Sequence, residues 1–150
     1  MPAASEPHPL PRTFRPYGVR IAAGIFGLLL AVTALVMWFA FPPHIRAQFT
    51  VFQIVTILFL ALLFYGAGFA LARSRVVART EGLVVVNGYL RRRYEWNEVL
   101  AVSLRPGSPW AVLDLSDGTT VPAMGIQGSD GKRARAQVRE LRALVDELSG

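Results

Sequence analysis

Residues 21–71 read IAAGIFGLLLAVTALVMWFAFPPHIRAQFTVFQIVTILFLALLFYGAGFAL. Two parts of this segment, Ile21–Phe41 and Phe49–Leu71, contain no charged side chain and no histidine. An α-helix rises about 1.5 Å per residue, so each part is long enough to cross a hydrocarbon layer of roughly 30 Å. The connection Pro42–Gln48 leaves room only for a tight turn. The sequence therefore predicts a transmembrane helical hairpin within residues 20–72.

Basic residues flank the predicted hairpin almost entirely on one side. The connection holds only Arg46, whereas three arginines precede the first span and three follow the second. The flanking arginines are Arg12, Arg15, Arg20, Arg73, Arg75 and Arg79. Such residues remain on the cytoplasmic side of a membrane, so both termini are predicted to be cytoplasmic. Since Lys132 is the only lysine, the composition is typical of a GC-rich bacterial genome, and we expect a multi-pass protein of the bacterial inner (plasma) membrane.

The net charge of +6 does not predict a nucleic-acid partner. Residues 80–150 carry equal numbers of basic and acidic side chains, so the positive excess lies beside the predicted spans. There it sets topology and contacts the headgroups of membrane lipids. The chain contains no cysteine, which excludes disulfides and thiol nucleophiles. Residues 1–19 are rich in proline and are expected to form a disordered tail.

Small residues recur on the faces of both predicted spans. They are Ala23, Gly27 and Ala31 in the first, and Gly66, Gly68, Ala70 and Ala72 in the second. Small residues allow helix backbones to approach closely in lipid, so these faces either pack the two helices together or form the seam of a homodimer. Neither span carries an ionisable side chain. Transporters usually place charges or broken helices near the middle of the membrane, so transport is not expected.

Residues 73–150 alternate between short β-rich segments and turn signals. The β-rich segments lie at 76–78, 83–86, 89–96, 99–104, 110–115 and 119–124. Asn87-Gly88 and Asp117-Gly118 are dipeptides that favour tight β-hairpins. From residue 131 to about 148, apolar residues follow the spacing of one helix face. The pattern predicts a membrane α-hairpin followed by a small α+β domain, in which six antiparallel strands form a sheet or barrel capped by a C-terminal helix.

This order of elements resembles the pleckstrin-homology (PH) superfold, and short motifs sharpen the resemblance. The motifs are Glu81-Gly82-Leu83-Val84-Val85, Arg93-x-x-Trp96-x-Glu98-Val99, Leu104-Arg105-Pro106-Gly107-x-Pro109-Trp110 and Leu115-x-Asp117-Gly118. They are similar to the bacterial PH-like domain of actinobacterial membrane proteins of the low-molecular-weight protein antigen 6 type. In that family one or two membrane spans precede the domain. The resemblance implies a fold and a location at the membrane, and it implies no activity.

A run of three arginines, Arg91, Arg92 and Arg93, is the most suggestive feature of the domain. Successive residues of a strand point to opposite faces of a sheet, so the three side chains cannot all converge on one phosphate. Three interpretations remain open: a solvated edge that blocks edge-to-edge pairing, a general contact for anionic lipids, or a specific headgroup pocket. With Arg73, Arg75 and Arg79, these residues form the candidate lipid-contact set.

The loop before the segment 110–115 is the candidate partner-binding loop. It contains Arg105, Pro106, Gly107, Pro109 and Trp110. Two prolines and a glycine cannot continue a strand, and rigid loops often carry recognition. Trp110 is interpreted either as packing at the sheet edge or as part of a peptide-binding surface.

No arrangement of residues predicts catalysis, a metal site or a cofactor. His8 lies in the proline-rich tail and His44 in the connection, so the predicted domain contains no histidine. The glycines of 125–131 lack the Lys-Ser/Thr pair of a phosphate-binding loop. We therefore expect a non-enzymatic, membrane-anchored interaction module that binds a protein partner or assists a membrane complex. The alternative is a domain that senses anionic lipids or binds their headgroups.

Overall fold

The computed structural model describes residues 9–150. Its helices and strands are β1 (Arg12–Phe14), α1 (Gly18–Ala40), α2 (Pro43–Arg46), α3 (Val51–Arg73), β2 (Arg75–Arg79), β3 (Gly82–Asn87), β4 (Leu90–Tyr94), β5 (Val99–Ser103), β6 (Trp110–Leu115), β7 (Thr120–Gln127) and α4 (Lys132–Leu148). Single turns of 3-10 helix precede β5 and α4.

The helices α1 and α3 form an antiparallel hairpin that is long and apolar enough to cross a membrane. Thr50 and Gln53 begin α3 with a capping box, in which each side chain accepts a hydrogen bond from the other residue's backbone amide. The two helices approach closely at Gly27, whose carbonyl accepts a 2.5 Å hydrogen bond from the Tyr65 hydroxyl. Most of the large apolar side chains of both helices are exposed, as expected of surfaces that face lipid.

Within residues 9–150, seven strands form two antiparallel sheets. The first sheet has the order β1-β2-β3-β4, and the second has the order β5-β6-β7. Gly88 and Gly118 have φ values of 61° and 84°, so the predicted Asn-Gly and Asp-Gly turns are present. Gly125 of β7 lies against the start of β2, where an added Cβ would come within 2.5 Å of Arg75 Cα. This close approach brings the two sheets together at one corner.

The core fills the space between the two sheets and is covered by α4. It contains Val76, Leu83 and Val85 from the first sheet together with Ala111 and Leu113 from the second. From α4 it receives Ala134, Val138, Leu141, Leu144 and Val145. The predicted class, a membrane-type hairpin followed by antiparallel sheets and a C-terminal helix, is confirmed.

The prediction that residues 1–19 form a disordered tail is wrong for the segment that contains β1. Arg12, Thr13 and Phe14 pair with Ala78, Val77 and Val76 of β2, and Phe14 is only 1% exposed. Sequence patterns missed this strand because three residues among prolines carry no periodicity. Its stability comes from the free edge of β2 and from the core below it. Residues 1–8 of the predicted tail lie outside the described residues.

Two further expectations need correction. Gly66 and Ala70 of α3 lie against the turn between β3 and β4, where Tyr89 and Gly88 approach them, so this face of α3 packs on the folded domain. The predicted strand at 89–96 is also shorter than expected. It ends at Tyr94 because Glu95 and Glu98 cap a 3-10 turn at Trp96–Glu98 through reciprocal hydrogen bonds.

Candidate functional site

Four of the six candidate lipid-contact arginines share the outer face of the first sheet. Arg75 and Arg91 lie on either side of Val86 in one cross-strand row. Arg93 pairs with Val84 in a neighbouring row, and Arg79 follows at the end of β2. Val84 and Val86 are buried although they lie outside the core cluster. We call these four residues (Arg75, Arg79, Arg91 and Arg93) the basic face.

The other two candidate arginines lie elsewhere. Arg92 pairs with Val85, which points into the core, so its side chain leaves the strand on the opposite side from Arg91 and Arg93. Arg73 ends α3, and its guanidinium lies 5.7 Å from the ring centre of Phe69 and 5.4 Å from that of Tyr89. The predicted set of six therefore divides into a face of four and two separate side chains.

Acidic groups stand at the end of the basic face that is farthest from the helices. A cleft lined by Arg79 and Arg93 also contains Glu81, Glu95 and Glu98. These carboxylates offset the two arginines. Arg75 and Arg91, in the row next to α3, do not line this cleft. The positive charge of the basic face is therefore least offset at these two arginines.

A second group of basic side chains was missed by the sequence patterns. Arg15 and Arg20, on either side of the start of α1, line one cavity of about 500 Å³ together with Arg12 and Arg133. Arg12 forms a 2.6 Å ion pair with Glu140, and Arg133 lies 4.9 Å from the ring centre of Tyr17. Only the tertiary structure brings the N-terminal arginines to α4, more than a hundred positions away in the chain.

The candidate partner-binding loop is fixed to the turn before α4. The Gly128 amide donates a 2.9 Å hydrogen bond to the carbonyl of Pro109. Arg105, Pro106 and Gly107 line a cavity of about 300 Å³ that Arg135 of α4 also lines. Trp110 begins β6, is half-buried, and pairs with Gln127 of β7.

The outer face of the second sheet carries apolar side chains among polar ones. Ala111, Leu113 and Leu115 of β6 point into the core, so Trp110, Val112 and Asp114 point outward. Val112 lies between Ser103 and Pro122 in one outward row, and Ala101 pairs with Asp114 in the next, with Leu100 beside a bulge. We call this surface (Leu100, Ala101, Trp110, Val112 and Pro122) the apolar face. The alternation of β6 was visible in the sequence, but which strands share a face was not.

Turn chemistry, and not a reactive site, explains the lowered pKa of Asp117. The hydroxyl and the amide of Thr119 donate hydrogen bonds of 2.6 and 2.9 Å to Asp117 Oδ1. These bonds favour the charged form and hold the pKa of Asp117 below its ordinary value. Among residues 9–150, no group of three or more histidine, aspartate or glutamate side chains is placed to hold a metal ion.

Comparison with known proteins identifies the folded part of the chain. Residues 73–144 match the family described as Bacterial PH domain. This part of the chain has a PH-like fold and is similar to bacterial PH domains, and we call it, together with β1, the PH domain. The matched residues begin at the end of α3, whereas the first strand of the PH domain's sheet, β1, precedes α1. The helical hairpin therefore lies between the first and second strands of the first sheet.

The relatives come from mycobacteria. Proteins described only as uncharacterized, from Mycobacterium bovis and from two strains of Mycobacterium tuberculosis, are 40% identical to this chain over 86 residues. The matched region covers 57% of this chain and 56% of each relative, so the match spans about half the length of these proteins. No solved structure matches the chain significantly. The resemblance to bacterial PH-like proteins is confirmed, and these relatives' names indicate no activity.

Proposed function

We propose that this protein is an integral membrane protein whose PH domain binds a protein partner at the cytoplasmic surface. Two apolar helices of 23 residues each support the membrane anchor. The arginines on both sides of the hairpin support a cytoplasmic domain, since the connection at the other end carries only Arg46. PH-like domains are in general interaction modules, which supports a role in binding without catalysis.

The apolar face is the observation that carries the protein-binding role. A sheet that is solvated on one side normally alternates between apolar residues inside and polar residues outside. Here Trp110, Val112 and Pro122 are apolar although they lie on the outside, beside the polar Ser103 and Asp114. Apolar side chains grouped on an exposed face are typical of protein interfaces. Tethering to the membrane raises the local concentration of the domain near other membrane proteins, so a weak contact suffices.

Two matched alanines test this proposal. Ala101 lies on the apolar face and Ala143 on the outside of α4, and both are exposed. We expect Ala101→Arg to remove a stoichiometric partner that co-purifies with the full-length protein from its native membrane in mild detergent. Ala143→Arg adds the same charge and the same bulk and should retain the partner. Equal recovery of the partner with both variants contradicts the proposal, provided that both melt at the wild-type temperature.

The basic face favours a second candidate function, which is binding of anionic lipid. Arg75 and Arg91 lie next to α3, where headgroups surround the protein if α3 spans the membrane. Each basic side chain near an anionic membrane surface contributes about 1 kcal/mol of attraction. This function predicts that the full-length protein retains phosphatidylglycerol in preference to phosphatidylcholine in native mass spectrometry, and that salt weakens the preference.

A charge-matched pair of double variants separates this function from general attraction. The double variant Arg91→Ser/Arg93→Ser removes two charges from the basic face, whereas Arg135→Ser/Arg139→Ser removes two exposed charges from α4. We expect the first pair to lose the preference for phosphatidylglycerol and the second pair to keep it. If both pairs behave alike, the basic face has no specific role in lipid binding.

A further inference from the structure

The turn between β3 and β4 is docked along the last two turns of α3. Tyr89 donates a 2.8 Å hydrogen bond through its hydroxyl to the carbonyl of Gly66. The Gly88 amide donates a 2.9 Å hydrogen bond to Ser74 Oγ, which in turn donates to the Ala70 carbonyl. A Cβ added to Gly88 would lie 3.3 Å from the Ala70 methyl group. These contacts place the turn beside the last two turns of α3, and not beyond the C-terminal end of the helix.

The position of Gly66 sets the depth of this turn. Gly66 precedes Leu71, the last residue of the uncharged stretch, by five residues, or about 7.5 Å along the helix axis. The helical part of the uncharged stretch, Val51–Leu71, exceeds a 30 Å hydrocarbon layer by only about 1.5 Å. With that excess shared between the two ends, Gly66 lies roughly 7 Å inside the hydrocarbon boundary.

The side chains of the turn have the chemistry of a membrane interface. Tyr89 and Leu90 are 62% and 69% exposed, although Val85 and Val86 of β3 are buried. Tyrosine is enriched where one end of a side chain meets lipid and the other meets a polar group, and here the hydroxyl has its polar partner in Gly66. The guanidinium of Arg73 lies over the Tyr89 ring, and Arg91 follows Leu90, so cationic groups border the apolar tip.

We propose that the β3–β4 turn of the PH domain is immersed in the lipid interface, with Tyr89 and Leu90 in contact with lipid. The turn is then a third membrane-contacting element beside α1 and α3. This inference rests on the proposed insertion of the hairpin in a membrane. Because the turn and the α3–β2 junction hold the domain at separate points, its orientation against the bilayer is fixed, and the row of Arg75 and Arg91 is placed at headgroup level.

Single cysteines test the inference, since the chain has no cysteine of its own. Leu90→Cys reports on the turn, and Leu62→Cys, which is equally exposed on α3, reports on the membrane span. Leu100→Cys is the matched control, because Leu100 is 65% exposed and follows Glu98, which lines the cleft at the opposite end of the first sheet. Each full-length variant is labelled with a polarity-sensitive fluorophore and reconstituted in phosphatidylethanolamine–phosphatidylglycerol vesicles.

The expected result is a blue-shifted emission at positions 62 and 90, with quenching by nitroxide-labelled lipid and protection from iodide present on both sides of the membrane. Position 100 should show the reverse pattern. If iodide quenches the label at position 90 as strongly as at position 100 while position 62 remains protected, the inference is overturned and the membrane anchor stands. If iodide also quenches position 62, the proposed membrane insertion fails together with it.

Discussion

The carboxylate of Asp130 accepts a 2.8 Å hydrogen bond from the backbone amide of Gly18, although 112 positions separate the two residues. Its other oxygen accepts a 2.8 Å hydrogen bond from the amide of Tyr17. Gly18 begins α1, whose first amides have no partner within the helix. A residue of the PH domain therefore caps the first apolar helix. With the direct junction of α3 and β2, this cap attaches both helices of the hairpin to the domain.

Replacement of Asp130 by alanine should destabilise the protein by about 1 kcal/mol, because two amides at the start of α1 lose their acceptor. Ser129→Ala is the neighbouring control, since Ser129 is exposed and its side chain does not take part in the cap of α1. The measurement is denaturant-induced unfolding of the full-length protein in detergent micelles. Equal stability of the two variants would show that the Asp130 cap does not contribute in solution.

The burial of Phe14 predicts a larger effect for a residue of the N-terminal segment. Phe14→Ala removes a large side chain from the core of the PH domain and should cost about 3–5 kcal/mol. Phe39→Ala is the control, because Phe39 is 73% exposed near the end of α1 and its removal leaves no cavity. Thermal unfolding followed by tryptophan fluorescence compares the two. If Phe14→Ala has the same melting temperature as the wild type, the side chain of Phe14 does not contribute to the core.

Substitutions at two glycines of α1 distinguish packing within the hairpin from other roles of the small residues. A Cβ at Gly27 would lie 3.1 Å from the Tyr65 ring, whereas one at Gly24 would meet nothing within 4 Å. Gly27→Leu should therefore separate α1 from α3 and lower the melting temperature, and Gly24→Leu should leave it unchanged. The predicted homodimer seam remains a prediction. Chemical cross-linking of Gly68→Leu in vesicles tests it, because Gly68 belongs to the predicted seam and a Cβ there would meet nothing within 4 Å. Loss of a dimer in this variant, with an unchanged melting temperature, would place the seam on that face.

The lowered pKa of Asp117 predicts a small dependence of stability on acid. The folded state binds a proton at this carboxyl less readily than the unfolded state does. Asp117 therefore stabilises the folded protein at pH values above its unfolded pKa of about 4, and this contribution is lost as the pH falls through the lower folded value. Wild type should melt above Asp117→Asn at pH 7, and the difference should shrink below pH 4.

The Asp117 prediction has an internal control in its hydrogen-bond donor. Thr119→Ala removes the hydroxyl that donates to the carboxylate and leaves the backbone donor in place. The difference between this variant and its Asp117→Asn derivative should depend less on pH than in the wild-type background. A melting difference between wild type and Asp117→Asn that stays constant from pH 7 to pH 3 would contradict the assignment.

Local patterns in the sequence determined much of the fold. The hydropathy of residues 21–71 predicted α1 and α3, since uncharged apolar stretches of that length are typical of helices that span a membrane. Asn87-Gly88 and Asp117-Gly118 located two turns, because only certain residues adopt a positive φ. The apolar spacing from Ala134 to Leu148 located α4. Each of these signals depends on residues within a few positions of one another.

The tertiary structure alone decided how those elements are combined. β1 is a strand because Val76–Ala78 offers it an edge and the core accepts Phe14, and neither partner lies near it in the sequence. The caps and contacts at Gly18, Gly66 and the basic face likewise join residues from distant parts of the chain. Residue spacing along one element fixes which side chains share its own face. It does not fix which face of another element they meet, because that depends on how the whole core packs.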